Sequence, residues 1–204
     1  MIAIINYGLG NINAIKTVYN NLNIPVKIAS NSDELRDSDK FILPGVGAFD
    51  YAMKKLQNSG MVSILNQKII EEEKNILGIC VGMQMLTKSS DEGSLPGLGW
   101  FEADIKMFNH YLSNNGLSVP HMGWNNIIPK QDSPILKGLD ENSFFYFLHS
   151  YYCKSQDTLD VISTTEYGNE FVSTINKKNI YGVQFHPEKS HEAGIKLLKN
   201  FSEL

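Results

Sequence analysis

Through its first half this chain repeats one pattern: a short β-branched run, a glycine turn, then apolar residues at helical spacing. Ile2–Asn6 is an apolar strand running into Tyr7-Gly8-Leu9-Gly10-Asn11, after which Ile12, Ile15, Val18, Tyr19 and Leu22 mark a helix. Pro25–Ala29 and Lys40–Leu43 read as two further strands, the second closed by Pro44-Gly45-Val46-Gly47. Helical spacing returns over Phe49–Leu56 and Val62–Glu73, Asn75–Ile79 is again an apolar strand, and Gly82–Thr87 reads as helix. Strand, glycine turn and helix in alternation predict an α/β fold whose sheet is mostly parallel and flanked by helices.

The second half is strand-rich. Trp100–Phe108, Asn125–Ile128, Ser143–Leu148, Val161–Thr165, Phe171–Ile175 and Ile180–Gln184 read as strands, with a hairpin turn at Asn176-Lys177-Lys178-Asn179. Glu192–Phe201 reads as a closing helix. No repeat or linker divides the 204 residues, so one domain over 1–204 is expected. With 18 Lys+Arg against 22 Asp+Glu there is no basic footprint for nucleic acid. The apolar runs fall far short of the roughly 20 residues of a membrane helix. Met1–Ile5 is too short and uncharged for a signal peptide, and the two cysteines lack zinc-ligand spacing. A cytoplasmic location, with no membrane and no nucleic-acid partner, is the expectation.

Chemistry enters at Gly78-Ile79-Cys80-Val81-Gly82-Met83-Gln84, a Gly-x-Cys-x-Gly pattern where a buried strand meets a helix. It is similar to the nucleophile elbow of Gly-x-Ser-x-Gly hydrolases. A tight turn exposes the nucleophile, and the flanking glycines let neighbouring segments approach. Amides at the helix start suit a thiolate and a developing oxyanion. The bland alternative is a small buried hydrophobe ending a strand. Gly182-Val183-Gln184-Phe185-His186-Pro187-Glu188 argues against it, because it supplies a base, His186, and a carboxylate, Glu188, to orient that base. Pro44-Gly45-Val46-Gly47 follows a parallel strand, where ligand-facing loops of α/β sheets belong. A phosphate loop at Gly8-x-Gly10 or Gly45-x-Gly47 is excluded, since neither has the Gly-Lys-[Ser/Thr] ending or a third glycine in register.

With these motifs assembled, the chain resembles a class I (triad-type) glutamine amidotransferase over essentially its whole length. Within that family it is similar to the glutaminase subunits of imidazole glycerol phosphate synthase. The narrower likeness rests on Asn6-Tyr7-Gly8-Leu9-Gly10-Asn11, Pro120-His121-Met122-Gly123-Trp124-Asn125 and Phe147-Leu148-His149-Ser150-Tyr151. The resemblance implies Cys80 as nucleophile, His186 as base and then acid, and Glu188 as the group orienting it. It implies Gly47 and Val81 as oxyanion donors, and Gly45, Gln84, Glu92, Ser150 and Tyr151 as the residues holding L-glutamine. It implies no metal or cofactor, and a heterodimer with a (β/α)8-barrel synthase subunit, met by Asn11, Trp124, Tyr146 and Lys189. Two other readings stay open: a related glutaminase feeding ammonia to a barrel that modifies a surface-polysaccharide sugar, and an inactive scaffold. A cysteine peptidase on a related fold fits His-Pro-Glu and Gln84 less well.

Overall fold

The computed structural model describes residues 1–108 and 116–204. The parallel half is built from β1 (Ile2–Ile5), α1 (Ile12–Asn21), β2 (Val26–Ala29), α2 (Ser32–Leu35), β3 (Lys40–Gly45), α3 (Phe49–Asn58), α4 (Val62–Asn66), β4 (Asn75–Cys80) and α5 (Val81–Met85). The rest contributes β5 (Ser89–Ser90), β6 (Ala103–Met107), β7 (His121–Asn126), β8 (Ile128–Pro129), β9 (Phe144–His149), β10 (Tyr151–Ser155), β11 (Val161–Tyr167), β12 (Asn169–Lys177), β13 (Ile180–Val183) and the closing helix α6 (His191–Glu203). No helix among the described residues is long and apolar enough to cross a membrane.

The main sheet runs β2-β1-β3-β4-β13-β12-β10-β6-β5, with β11 and β8 branching from β12. From β2 to β13 every neighbour is parallel. The inner strands carry continuous apolar runs, Ile2–Ile5 and Phe41–Leu43 among them, because both faces of a parallel sheet are covered. The chain steps from β1 to β2 in one direction and from β3 to β4 in the other. Right-handed crossovers therefore put α1 and α3 on opposite faces. α6 returns beside α1, where the Tyr19 hydroxyl donates to the Leu198 carbonyl at 3.0 Å.

This order sets three motif-bearing strands side by side. β3 ends at Gly45, β4 at Cys80 and β13 just before Gln184, with Gly45 level with Cys80 in the β3–β4 ladder. The carboxyl edge of a parallel sheet is where α/β folds bind ligands, so this placement alone predicts the site.

Four expectations need correction. The helix over Val62–Glu73 is α4 followed by a wide turn at Gln67–Glu71. There the Asn179 side chain takes the Ile69 and Lys74 carbonyls at 2.8 Å, and the Glu72 amide reaches back to Gln67. Trp100–Phe108 becomes strand only over Ala103–Met107, because the amides of Trp100 and Phe101 both turn onto the Leu86 carbonyl. Asn125–Ile128 is two strands in two sheets, β7 and β8, divided at the fully buried Ile127. Tyr151-Tyr152-Cys153 reads from sequence as the end of a strand, and is instead the start of β10, which runs on to Ser155.

β7 and β9 form a separate two-stranded ribbon. Its inner face turns Phe145, Phe147 and His149 into the core, where the Phe145 and Phe185 rings stack at 4.0 Å. Its outer face pairs Met122 with Leu148 and Trp124 with Tyr146 and carries Phe144; four of these five are exposed and apolar.

Candidate active site

Cys80 ends β4 with φ +55° and ψ −115°, a backbone conformation that costs a β-carbon-bearing residue about 1–3 kcal/mol. The chain reverses there straight into α5, which passes directly over β3. A β-carbon on Gly82 would stand 1.8 Å from the Leu43 carbonyl oxygen, so only glycine allows the contact. The elbow read from Gly-x-Cys-x-Gly is thus present in its geometry. Gln184 donates its amide N–H towards Sγ at 3.8 Å, and Sγ lies 3.9 Å from the Leu148 carbonyl.

His186 reaches the same edge from β13. Its amide donates to the Tyr146 carbonyl at 2.9 Å and its own carbonyl accepts from Ser190 Oγ at 2.6 Å, which pins the motif to β9. His186 Nδ1 meets Glu188 Oε1 at 2.8 Å, with both side chains almost fully buried. Burial works to lower the imidazole, but the Cys80 sulfur and the Glu188 carboxylate outweigh it and raise His186 to about 10. Burial works to raise Glu188, yet the His186 contact and the Asn11 amide hold that carboxyl below its usual range. The result is an imidazole built to hold a proton beside a sulfur.

Around Cys80 and His186 lies a cleft of about 420 Å³. Gly47, Val81, Gln84, Glu92, Ser150 and Tyr151, the positions to which the resemblance gives oxyanion and glutamine contacts, all line it. Gly47 has φ +86°, outside the range of ordinary residues, and so presents its backbone rather than a side chain to the cleft. Gln84 spends both amide hydrogens, on the Tyr151 carbonyl at 3.2 Å and on Gln184 Oε1 at 3.1 Å, leaving its carbonyl oxygen for a ligand. Glu92 has a second task, since its carboxylate accepts the Phe49 amide at 2.9 Å and caps α3.

Gly45 does not reach the cleft. It is buried against α5, where a β-carbon would meet the Gly82 nitrogen at 2.3 Å, so its place is packing. Asn11 is half-buried and donates to Glu188 Oε1 at 2.7 Å, extending the Cys-His-Glu set by one residue. Trp124, Tyr146 and Lys189 sit together without lining the cleft: Trp124 stacks on His191 at 5.0 Å and meets Tyr146 edge-on at 6.1 Å, and the Lys189 ammonium sits over the Tyr146 ring. Sequence reasoning missed Gln184, although it lies inside the Gly182–Glu188 motif, and missed the roles of His149 and Pro120 in the cleft wall.

Comparison with known proteins agrees with this geometry. The chain is 50% identical over all 204 residues, and over the whole of that protein, to the imidazole glycerol phosphate synthase subunit HisH of Bdellovibrio bacteriovorus. It is 46% identical, again over the full length of both chains, to the same-named subunit of Leptospira borgpetersenii. Among solved structures, PurLQS from Thermotoga maritima superposes with a TM-score of 0.75 at 17% identity, over 98% of this chain and 96% of that one. A putative GMP synthase protein from Thermoplasma acidophilum gives 0.73 at 21%, over 99% and 92%. These two establish likeness of fold. The family model for class-I glutamine amidotransferases matches residues 3–203, and this chain belongs to that family.

Proposed function

We propose that the chain is the glutaminase subunit of an imidazole glycerol phosphate synthase, hydrolysing L-glutamine to glutamate and ammonia and passing the ammonia to a (β/α)8-barrel synthase subunit. The observation that carries the reading is the buried thiol of Cys80 on a strained elbow, sharing one cleft with a His186 oriented by Glu188. Cys80 attacks the side-chain amide carbon of glutamine while His186 takes the thiol proton. The backbone amides of Gly47 and Val81 receive the developing oxyanion. His186 returns the proton to the departing nitrogen, ammonia leaves, and water cleaves the thioester to glutamate with the thiol restored. The Gln84 carbonyl oxygen and the Glu92 carboxylate suit the substrate ammonium, with Ser150 and Tyr151 closing that end.

A partner is supported by the outer face of the β7–β9 ribbon. Met122, Trp124, Phe144 and Leu148 are exposed together, the kind of apolar patch that marks a docking surface. Leu148 also lines the cleft beside Cys80, so a partner seated on the ribbon stands next to the point where ammonia forms.

The test is release of glutamate and ammonia from glutamine by the chain with its barrel synthase. Turnover by the complex is expected, together with a glutamine-mimicking diazo ketone labelling Cys80 alone. An adduct on Cys153, or no turnover with the synthase present, refutes the reading. The Asn11 contact gives a second expectation. Asn11→Ala removes a hydrogen bond to a buried carboxylate, a loss of about 1.5–3 kcal/mol, and should lower kcat roughly tenfold or more with KM little changed. Steady-state kinetics in glutamine check it; an unchanged kcat would detach Asn11 from the catalytic set.

A further inference from the structure

His121 and His149 are both buried, face each other across the β7–β9 register, and have no part in the chemistry above. His121 Nδ1 lies 3.0 Å from His149 Nε2, and His149 Nδ1 lies 2.8 Å from the Tyr151 carbonyl oxygen. These contacts fix every proton. The Tyr151 carbonyl only accepts, so His149 carries its hydrogen on Nδ1 and leaves Nε2 bare. His121 must then donate from Nδ1, which leaves its own Nε2 to accept from the Asn125 side chain at 3.4 Å. The Asn125 amide is oriented by two backbone groups: Nδ2 donates to the Glu166 carbonyl at 3.0 Å and Oδ1 accepts the Asn126 amide at 2.9 Å. One-way hydrogen bonding thus runs from Asn125 through two neutral rings to Tyr151.

This relay ends at the glutamine cleft. Gln84 is the second donor to the Tyr151 carbonyl, so both lone pairs of that oxygen are engaged. We propose that His121 and His149 are positioning residues which, through locked tautomers, fix the Tyr151 carbonyl and hold the Ser150–Tyr151 wall of the cleft for the amino-acid end of glutamine. This rests on the glutaminase reading of the cleft. Burial keeps both rings uncharged, with His121 pushed down to about 4 and His149 to about 3. His121 is also held in plane, stacked on Tyr167 at 3.9 Å and Phe147 at 4.9 Å, so its nitrogen has little freedom to swing away. Strand β7 itself carries Trp124 on its opposite face, which makes the ribbon the common support of the docking surface and the cleft wall.

His121→Phe keeps the stacking and removes the donor. His149 then keeps its hydrogen on Nδ1 but has lost the partner at Nε2, so its ring can turn and loosen its hold on the Tyr151 carbonyl. In the full chain, the concentration of the diazo ketone that half-saturates labelling of Cys80 should rise at least fivefold. Alkylation of Cys80 by iodoacetamide, which needs no glutamine cleft, should stay within twofold. His121→Asn, whose amide nitrogen overlays Nδ1, should return half-saturation to within twofold of the parent. Unchanged half-saturation in His121→Phe, or no rescue by Asn in a folded protein, overturns the proposal. Nitrogen-15 NMR of the parent chain at pH 7 tests the relay without any variant. Neutral rings protonated at Nδ1 are expected for both histidines, and hydrogen on Nε2 of His149 overturns it. Should the parent fail to label saturably, the glutamine reading fails, while the NMR result still decides the relay.

Discussion

Cys80→Ala is expected to lower glutamine hydrolysis by about 10⁴-fold or more and to leave the fold intact. In the proposed mechanism the sulfur is the atom that forms the bond to substrate, and Cys153, the other thiol of the chain, does not line the cleft. Cys153 is fully buried in β10, paired across the sheet with Val172, and burial pushes its thiol up to about 12. Alanine at position 80 inherits the same strained φ of +55°, so the backbone cost is unchanged. What the fold loses is one small sulfur whose polar contacts are long, 3.8 and 3.9 Å, which argues for a stability change of at most about 1 kcal/mol. Two measurements separate the roles. Glutamine-driven synthesis by the complex with the proposed barrel synthase should vanish, while ammonia-driven synthesis should persist, because free ammonia bypasses the cleft. Cys153→Ala should do the opposite, lowering the melting temperature and sparing turnover. Retained glutamine turnover in Cys80→Ala would remove the basis of the mechanism.

The parallel half was legible because its physics is local. Strands covered on both faces are apolar runs, and each is closed by glycines that the turn demands, so β1, β3 and β4 and the helices after them could be placed from sequence. The irregular parts depend on residues far along the chain. The turn after α4 is opened by Asn179, more than a hundred positions away, and nothing in Val62–Glu73 announces it. β10 reads from sequence only as a strand end at Tyr151–Cys153, which offers no polar alternation; pairing with β6 on one side and with β12 at Cys153 on the other makes it a strand through Ser155. Asn125–Ile128 reads as one run, yet Ile127 buries itself and sends the flanking residues to different sheets.

The site divides in the same way. That Cys80, His186 and Glu188 would meet was readable because the elbow and His-Pro-Glu are each written in adjacent residues, and the fold brings the two motifs to one cleft. Gln84 and Glu92 lie in the cleft wall, but their partners Gln184 and the Phe49 amide were invisible from sequence. Asn11 was assigned to a partner surface by likeness alone, while the fold brings it 2.7 Å from a carboxylate 177 positions away. Gly45 sits in the right motif, yet it serves the contact between β3 and α5 and not the ligand.

That contact sets up the largest stability effect, expected for Gly82→Ala. Two terms oppose each other. Alanine gains about 1 kcal/mol over glycine in helix propensity, so a free site in α5 would be stabilised. Here the new β-carbon would lie 1.8 Å from the Leu43 oxygen, 2.9 Å from its carbon and 3.2 Å from the Pro44 carbonyl carbon. All three are backbone atoms of β3, which is bonded into the sheet by β1 on one edge and β4 on the other and cannot retreat. Relief must come from α5 moving outward, against the fully buried Met83 and Met85. Overpacking of this kind costs about 3 kcal/mol or more, which outweighs the propensity gain and lowers the melting temperature by about 5–10 °C. The same displacement carries the Val81 amide away from Cys80, so glutamine turnover should fall even at temperatures where the variant is folded. Gly47→Ala is the contrasting case: no atom lies within 4 Å of the added carbon, and the cost is the strain of φ +86° alone. Thermal unfolding of the two variants side by side checks the argument. Equal losses would mean that backbone strain, not the approach of β3, is what these glycines relieve.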